Sequence, residues 1–203
     1  LYGAVQAAAS TYIEDKIAEE GGWPDDFDRG PACTYMASKL FHGIEQAVPA
    51  ACALMRWLRK LPHKVGNRPI LWTTPSGFPV WHDYRQFELK RVEIRSCGMQ
   101  KVSVRIYKDD IDVIRSRNAI SPNFVHSLDA CHVTLVADQF YKRGWDLVAI
   151  HDSLGTHPSR VGEMHKIIRE QFVRMYEDGE LLHRLVKQIG VDMEPPVLGE
   201  LDL

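Results

Sequence analysis

Apolar positions along this chain follow two periods, and the switches between them mark its elements. Up to about residue 60 the spacing is helical. Leu1, Val5, Ala8, Tyr12, Ile13 and Ala18 recur every three or four positions, and Gly21-Gly22 stops this first helix near Glu20. A loop follows with Trp23-Pro24 and the acids Asp25, Asp26 and Asp28; it lacks the glycine and closing glutamate of a calcium loop and reads as a solvated turn. The helical period returns at Met36, Leu40, Ile44, Val48, Cys52, Met55 and Leu58. It predicts one long helix from about Ala32 to about Lys60, kinked at Pro49. Residues 61–69 read as a turn-rich connector.

The period then drops to two. Ile70-Leu71-Trp72-Thr73-Thr74 and Phe78-Pro79-Val80-Trp81 flank Pro75-Ser76-Gly77, a hairpin signal. Its tryptophans have the chemistry of a base-stacking platform, although aromatics at paired strand positions more often pack into the core. Residues 87–95 and 102–107 alternate again, with apolar and basic residues expected on opposite faces. Between residues 85 and 108 stand seven basic residues and two acidic ones, a local excess that suits a surface facing a polyanion.

Beyond Asp112 the pattern is helical once more. A short helix is expected to end near Asn118 and a second to start at Ser121, a good N-cap, with Pro122 as its first residue. This second helix runs to about Lys142 with Gly144 as its stop; Phe124, Leu128, Cys131, Leu135 and Val136 form its stripe, and His126 and Asp129 lie off it. Trp145 to Ile150 is then an apolar strand that delivers His151-Asp152-Ser153 to its end; Ser153 and Gly155 follow and the chain turns back, so an acid-tipped hairpin is expected, its acid either part of a local turn or a rigidly held ligand. Two more helices follow, one after Pro158-Ser159 and one from about Glu180 to Ile189, before an extended tail at Glu194-Pro195-Pro196. The expected class is α+β, mostly helical with β-hairpins, with a helical segment at 1–66 and a second segment at 67–203.

Composition narrows the partners without naming them. The 203 residues are 45% apolar and 26% charged, so a packed core is expected, and the net charge of −2 leaves any polyanion-binding surface to be local. Cys33, Cys52, Cys97 and Cys131 are scattered, with no CxxC, and suit free thiols in a reducing compartment. No apolar run reaches the ~20 residues of a membrane span, and no signal-peptide pattern is present. The chain opens on Leu1 in what reads as mid-helix and stops at Leu203 without a closing signal, so it is expected to be a piece of a longer protein.

Taken in order, Tyr2-Gly3, the Trp72–Trp81 hairpin, Ser121-Pro122-Asn123-Phe124-Val125-His126-Ser127-Leu128-Asp129 and His151-Asp152-Ser153-Leu154-Gly155-Thr156-His157 resemble the C-terminal part of bacteriophage-type single-subunit DNA-directed RNA polymerases, a family that includes the mitochondrial enzymes. The resemblance covers essentially the whole chain. It implies palm and fingers parts of a right-hand polymerase, which moves ribonucleotides from triphosphates to an RNA 3′ end on a DNA template by a two-metal mechanism. It makes Asp152 one of two aspartates holding two Mg2+ ions, with His151 supporting it beside the transcript end. Tyr2 and His126 become the residues that select ribose, Gly3 a close-packing position beside the site, and Ser153 a neighbour of the substrate. It further implies a polymerase that is monomeric when complete, in the cytoplasm of a host cell or alternatively in a mitochondrion.

The family's first catalytic aspartate and the arginine and lysine that grip the triphosphate have no match in these 203 residues, so the segment alone is expected not to catalyse. A family A DNA polymerase palm is a rival reading, but its motif normally reads His-Asp-Glu where this chain has Ser153. A non-catalytic nucleic-acid-binding module built on the basic strands is another. A metal phosphohydrolase needs convergent ligands, and His42, His63, His82, His132, His165 and His183 show no such spacing.

Overall fold

A computed structural model describes residues 6–24, 28–94, 98 and 100–197. They fall into two compact units, one reaching to Trp57 and taking in the chain from Pro196 on, the other Leu58–Pro195. Tyr2, Gly3, Arg95 and Cys97 lie outside the described residues.

The first unit is helical. Helices α1 (Gln6–Glu19) and α2 (Arg29–Ala47) pack together, with Cys33 and Ala37 buried on α2. The expected single long helix is instead two. A residue before proline is kept out of the α region, and Val48 accordingly sits at φ −137°, ψ 62°. Helix α3 (Pro49–Leu58) then restarts with Pro49 in first position, where its missing N–H costs nothing.

The second unit opens where a connector was expected. Leu61, Pro62 and Val65 are buried, and that burial folds the stretch into a short helix, α4 (Leu61–Val65), closed by Gly66 at φ +75°. Strands β1 (Ile70–Thr73) and β2 (Pro79–His82) form the expected hairpin, Ile70 opposite His82 and Trp72 opposite Val80. Trp72 is buried and Trp81 exposed, so the tryptophans serve opposite faces. Strands β3 (Arg85–Ile94) and β4 (Gln100–Ile111) make a long antiparallel ribbon, β3 starting earlier and β4 running further at both ends than the alternation suggested. At its root the Asn67 side chain accepts from Ile111 N–H at 2.6 Å and donates to Asp110 at 2.8 Å.

Helix α5 (Val113–Lys142) corrects the sequence reading most. It is one 30-residue helix, about 45 Å long, rather than two. Its N-cap is Asp112, whose carboxylate accepts from Arg115 N–H at 3.0 Å. Ser121 is not a cap but a buried interior residue, and Pro122 lies inside the helix. One intrahelical bond is lost at Pro122. Burial of Ser116, Ile120, Phe124, Leu128 and Cys131 on both sides of it keeps the helix continuous.

Two cores use this helix. Its first half faces α4 and β2, where Leu58, Leu61, Ile70, Trp72, Ile120 and Phe124 are buried. Helix α7 (Leu181–Ile189) packs on β1 with Leu182, Leu185 and Ile189 buried. On its second half Val136 and Phe140 meet Ile167 of α6 (Val161–Tyr176), which a 3-10 turn at Pro158–Arg160 precedes. Trp145, Leu147 and Leu154 pack against that cluster, and so it carries the small hairpin of β5 (Val148–Ile150) and β6 (Ser153–Gly155).

Phe140 is 1% exposed and edge-on to Trp145 at 5.8 Å. Phe140→Ala is expected to destabilise the second unit by about 3–5 kcal/mol. Urea unfolding followed by tryptophan fluorescence measures it, and β5–β6 should lose amide protection first.

Candidate functional site

The β5–β6 hairpin places Asp152 in a tight turn. Ile150 pairs with Ser153 and Val148 with Gly155, leaving His151 and Asp152 as the two turn residues. The acid-tipped hairpin expected here is thus present, with Asp152 at its turn. His151 takes φ +55°, the one positive φ of a non-glycine residue among those described. Histidine tolerates that region better than most side chains, and such strain is commonly kept at functional sites. His151, Asp152 and Ser153 are all exposed. Among the described residues no group of three or more His, Cys, Asp or Glu side chains could enclose a metal ion. Asp152 is therefore an exposed carboxylate at the turn, with no such group gathered around it among the described residues.

His126 stands elsewhere, on an exposed face of α5. A cavity of about 300 Å³ opens beside it, lined by Thr74, Ser76 and Phe78 from the first hairpin and by Asn123, His126 and Thr134 from α5. Its floor is tied together. The Trp72 indole donates to Ser127 Oγ at 3.1 Å, Ser127 donates to the Phe124 carbonyl at 2.7 Å, and Ser76 N–H donates to Cys131 Sγ at 3.3 Å. Asp129, paired with His126 by spacing, acts in another direction, adding to the burial that pushes the Tyr176 hydroxyl up. Tyr2 and Gly3, the other expected substrate contacts, lie outside the described residues.

Sequence reasoning passed over the groups behind this cavity. His82 is 2% exposed. Its Nε2 lies 3.1 Å from the Ser116 carbonyl and 3.0 Å from Ser116 Oγ. Its Nδ1 lies 3.1 Å from the Asn123 amide nitrogen, which also reaches Tyr84 Oη at 3.1 Å. Burial pushes the His82 pKa down, with the Ser116 carbonyl and the Asp83 carboxylate offsetting part of the effect. Metal-ligand spacing, the pattern that makes a histidine stand out in a sequence, is lacking at His82. Charged neighbours at Asp83, Arg85, Arg115 and Arg117 hide the set His82, Tyr84, Ser116 and Asn123 in the sequence.

The ribbon is the third feature. Opposed residues share a face, so Phe87, Leu89, Arg91, Lys101, Arg105 and Tyr107 lie on one side. Val92, Ile94, Val102, Val104 and Ile106 lie on the other with Glu88 and Lys90. The expected separation of apolar from basic holds from Lys101 to Ile106 of β4; Lys108 and Lys90 fall on the apolar side, and in β3 Phe87 and Leu89 share the side that carries Arg91. Arg105 and Arg115 both lie over the Phe87 ring, at 4.8 and 5.3 Å. Glu88 and Glu93 are paired across the strands with Lys108 and Lys101, at 3.4 and 3.7 Å, exposed contacts that add little stability.

Known proteins share this sequence. Residues 1–197 match the DNA-dependent RNA polymerase family. The chain is 39% identical over its whole length to the DNA-directed RNA polymerase of Pseudomonas phage phiKMV, covering 25% of that protein. It is 34% identical over 98% of its length to the mitochondrial DNA-directed RNA polymerase 1 of Nicotiana sylvestris, covering 20% of it. Against DNA-directed RNA polymerase 2A of Nicotiana tabacum the identity is 30% over 92% of the chain, which covers 56% of that protein. The chain thus spans about a quarter or less of the first two.

A titration follows from His82. Its pKa when unfolded is about 6.5 and is lower when folded, so between those values the unfolded chain binds the extra proton. The stability held by neutral His82 is present above about pH 6.5 and is lost as pH falls through the folded value. Unfolding midpoints measured from pH 7.5 down to 5 should fall, and His82→Gln should flatten part of that slope.

Proposed function

This chain belongs to the DNA-dependent RNA polymerase family, and we propose on that footing that it is the part of such an enzyme that presents the growing RNA end and checks the sugar of the incoming nucleotide. The reaction is attack of the RNA 3′ hydroxyl on the α-phosphate of a ribonucleoside triphosphate, with pyrophosphate leaving. The observation that carries the reading is the His151-Asp152 turn, an exposed carboxylate on a strained two-residue hairpin tip.

Asp152 is the proposed ligand of Mg2+, through oxygens a hard cation prefers. When bound, the ions supply positive charge to the attacking and leaving oxygens. His151, fixed at the first turn position, holds the transcript end beside the carboxylate, and Ser153 opens the returning strand next to the substrate. The second aspartate is proposed to come from outside these 203 residues. Support lies in the hairpin itself. Its strands are three residues each, and Val148 and Ile150 are exposed. A pair so short is marginal alone and suits a third strand laid against it. Tyr2 and His126 are proposed to read the ribose, with Gly3 giving close approach. No described helix is long and apolar enough to cross a membrane. The proposed setting is a host-cell cytoplasm, in line with the identity to the phage enzyme, with the complete polymerase a monomer.

The β3–β4 ribbon is proposed to lie on the DNA. A two-stranded ribbon fits a major groove, and Arg91, Lys101 and Arg105 share one side of it with Phe87 and Tyr107. This accommodates the nucleic-acid-binding reading within the polymerase.

In the natural polypeptide that carries these residues, Asp152→Asn should lower kcat for nucleotide addition roughly 100- to 1,000-fold or more while template binding persists. Unchanged turnover would remove Asp152 from the site. Tyr2→Phe should raise use of deoxynucleotides, and if it does not, Tyr2 has no part in sugar choice. Replacing Arg91 and Arg105 with alanine should weaken DNA binding and make the slope of log affinity against log salt shallower by about 0.9 for each phosphate that is no longer neutralised.

A further inference from the structure

We infer that Asn123 is a second sugar-reading residue, a hydrogen-bond acceptor whose direction is fixed by His82, Ser116 and Tyr84. The inference rests on the proposed ribose-reading role of His126, which lines the same cavity three residues later on α5. It follows from which atoms in this network can donate.

The Ser116 carbonyl, 3.1 Å from His82 Nε2, can only accept; we assign the ring proton to Nε2, so that the Ser116 hydroxyl, 3.0 Å away, accepts beside it. A buried imidazole that stays neutral has one N–H, which leaves Nδ1 as an acceptor. With that tautomer the group facing Nδ1 at 3.1 Å is the NH2 of Asn123 rather than its oxygen. The other amide hydrogen goes to Tyr84 Oη at 3.1 Å. Both amide donors of Asn123 are thus used on the buried side. Asn123 Oδ1 accepts from no group among the described residues, and the side chain is half-buried at the cavity wall.

An oriented acceptor beside His126 fits a donor on the ligand. Within a nucleotide the neutral donors are the ribose hydroxyls and base N–H groups such as the 2-amino group of guanine. The position beside His126 favours a ribose hydroxyl. A deoxynucleotide would leave Oδ1 partly buried and unpaired, so the same atom that favours ribose disfavours its analogue. His82 and Tyr84 act through Asn123 as positioning residues. His82→Gln preserves the pattern, because a glutamine amide can donate to the Ser116 carbonyl while its oxygen accepts from Asn123 NH2.

The test is single-nucleotide addition by the natural polypeptide, comparing kcat and KM for each NTP with those for its dNTP. Asn123→Ala should raise KM for NTPs roughly three- to tenfold, with kcat and the KM for dNTPs little changed, so that discrimination falls. His82→Leu should reproduce part of that loss, His82→Gln should restore it, and Tyr84→Phe should give a smaller loss. If His126→Ala lowers discrimination but Asn123→Ala does not, Asn123 is not a sugar reader and the sugar-reading role of His126 stands. If Asn123→Ala acts alike on NTP and dNTP but selectively on guanine over hypoxanthine nucleotides, the acceptor reads a base amino group and the ribose assignment is overturned. If Asn123→Ala lowers kcat equally for every substrate, its role is structural only. If no variant alters sugar choice, the reading of this face as a nucleotide site falls as well.

Discussion

Burial along helix α5 is the constraint on which the second unit depends. One uninterrupted helix serves two separate cores, the first closed by α4 and the β1–β2 hairpin, the second by α6. A break at Pro122 would put these cores on separate rods. The single hydrogen bond lost at the proline is worth far less than the packing of Ile120, Phe124 and Leu128 around it. Continuity of the helix is what gives the pocket at Asn123 and His126 and the hairpin carrying Asp152 a common support.

The two candidate sites are held in different ways. Asp152 is presented openly, on a turn whose hairpin is anchored from beneath by Trp145, Leu147 and Leu154 against Val136, Phe140 and Ile167. That suits a ligand that other groups must complete. The cavity beside His126 is tied by polar bonds between the first hairpin and α5, from Trp72 to Ser127 and from Ser76 to Cys131. That suits a contact that must tell a hydroxyl from a hydrogen. The ribbon is different again: its root is pinned by Asn67 and Arg85, while both faces beyond the root are exposed. A projecting ribbon of that kind has surface to offer a large partner.

Much of this was legible in the residues. Periods of two and of 3.6 located both hairpins and the ribbon, and the glycines at Gly21, Gly144 and Gly190 fell at helix ends with positive φ. The short motifs around Tyr2, His126 and Asp152 carried the family resemblance, which the match over residues 1–197 bears out. Where local rules failed, a nonlocal term had won. Ser121-Pro122 is a good helix start on propensity alone, yet burial on both sides made it an interior. Val48-Pro49 went the opposite way, because there a backbone clash at Val48 opposed continuation.

Sequence by itself determined the hairpins, the ribbon, the family and the chemistry of single side chains, since these depend on residue type and short spacing. Tertiary structure decided which way those side chains act. His82 and Asn123 are 41 positions apart, and nothing local says that one sets the amide orientation of the other. That outcome needs β2 docked on α5, which brings the Ser116 carbonyl and hydroxyl within 3.1 and 3.0 Å of one ring nitrogen and Asn123 within 3.1 Å of the other. The hairpin carrying Asp152 was legible in the sequence; the pairing of Ile150 with Ser153 then limited its turn to two residues and His151 took its positive φ there.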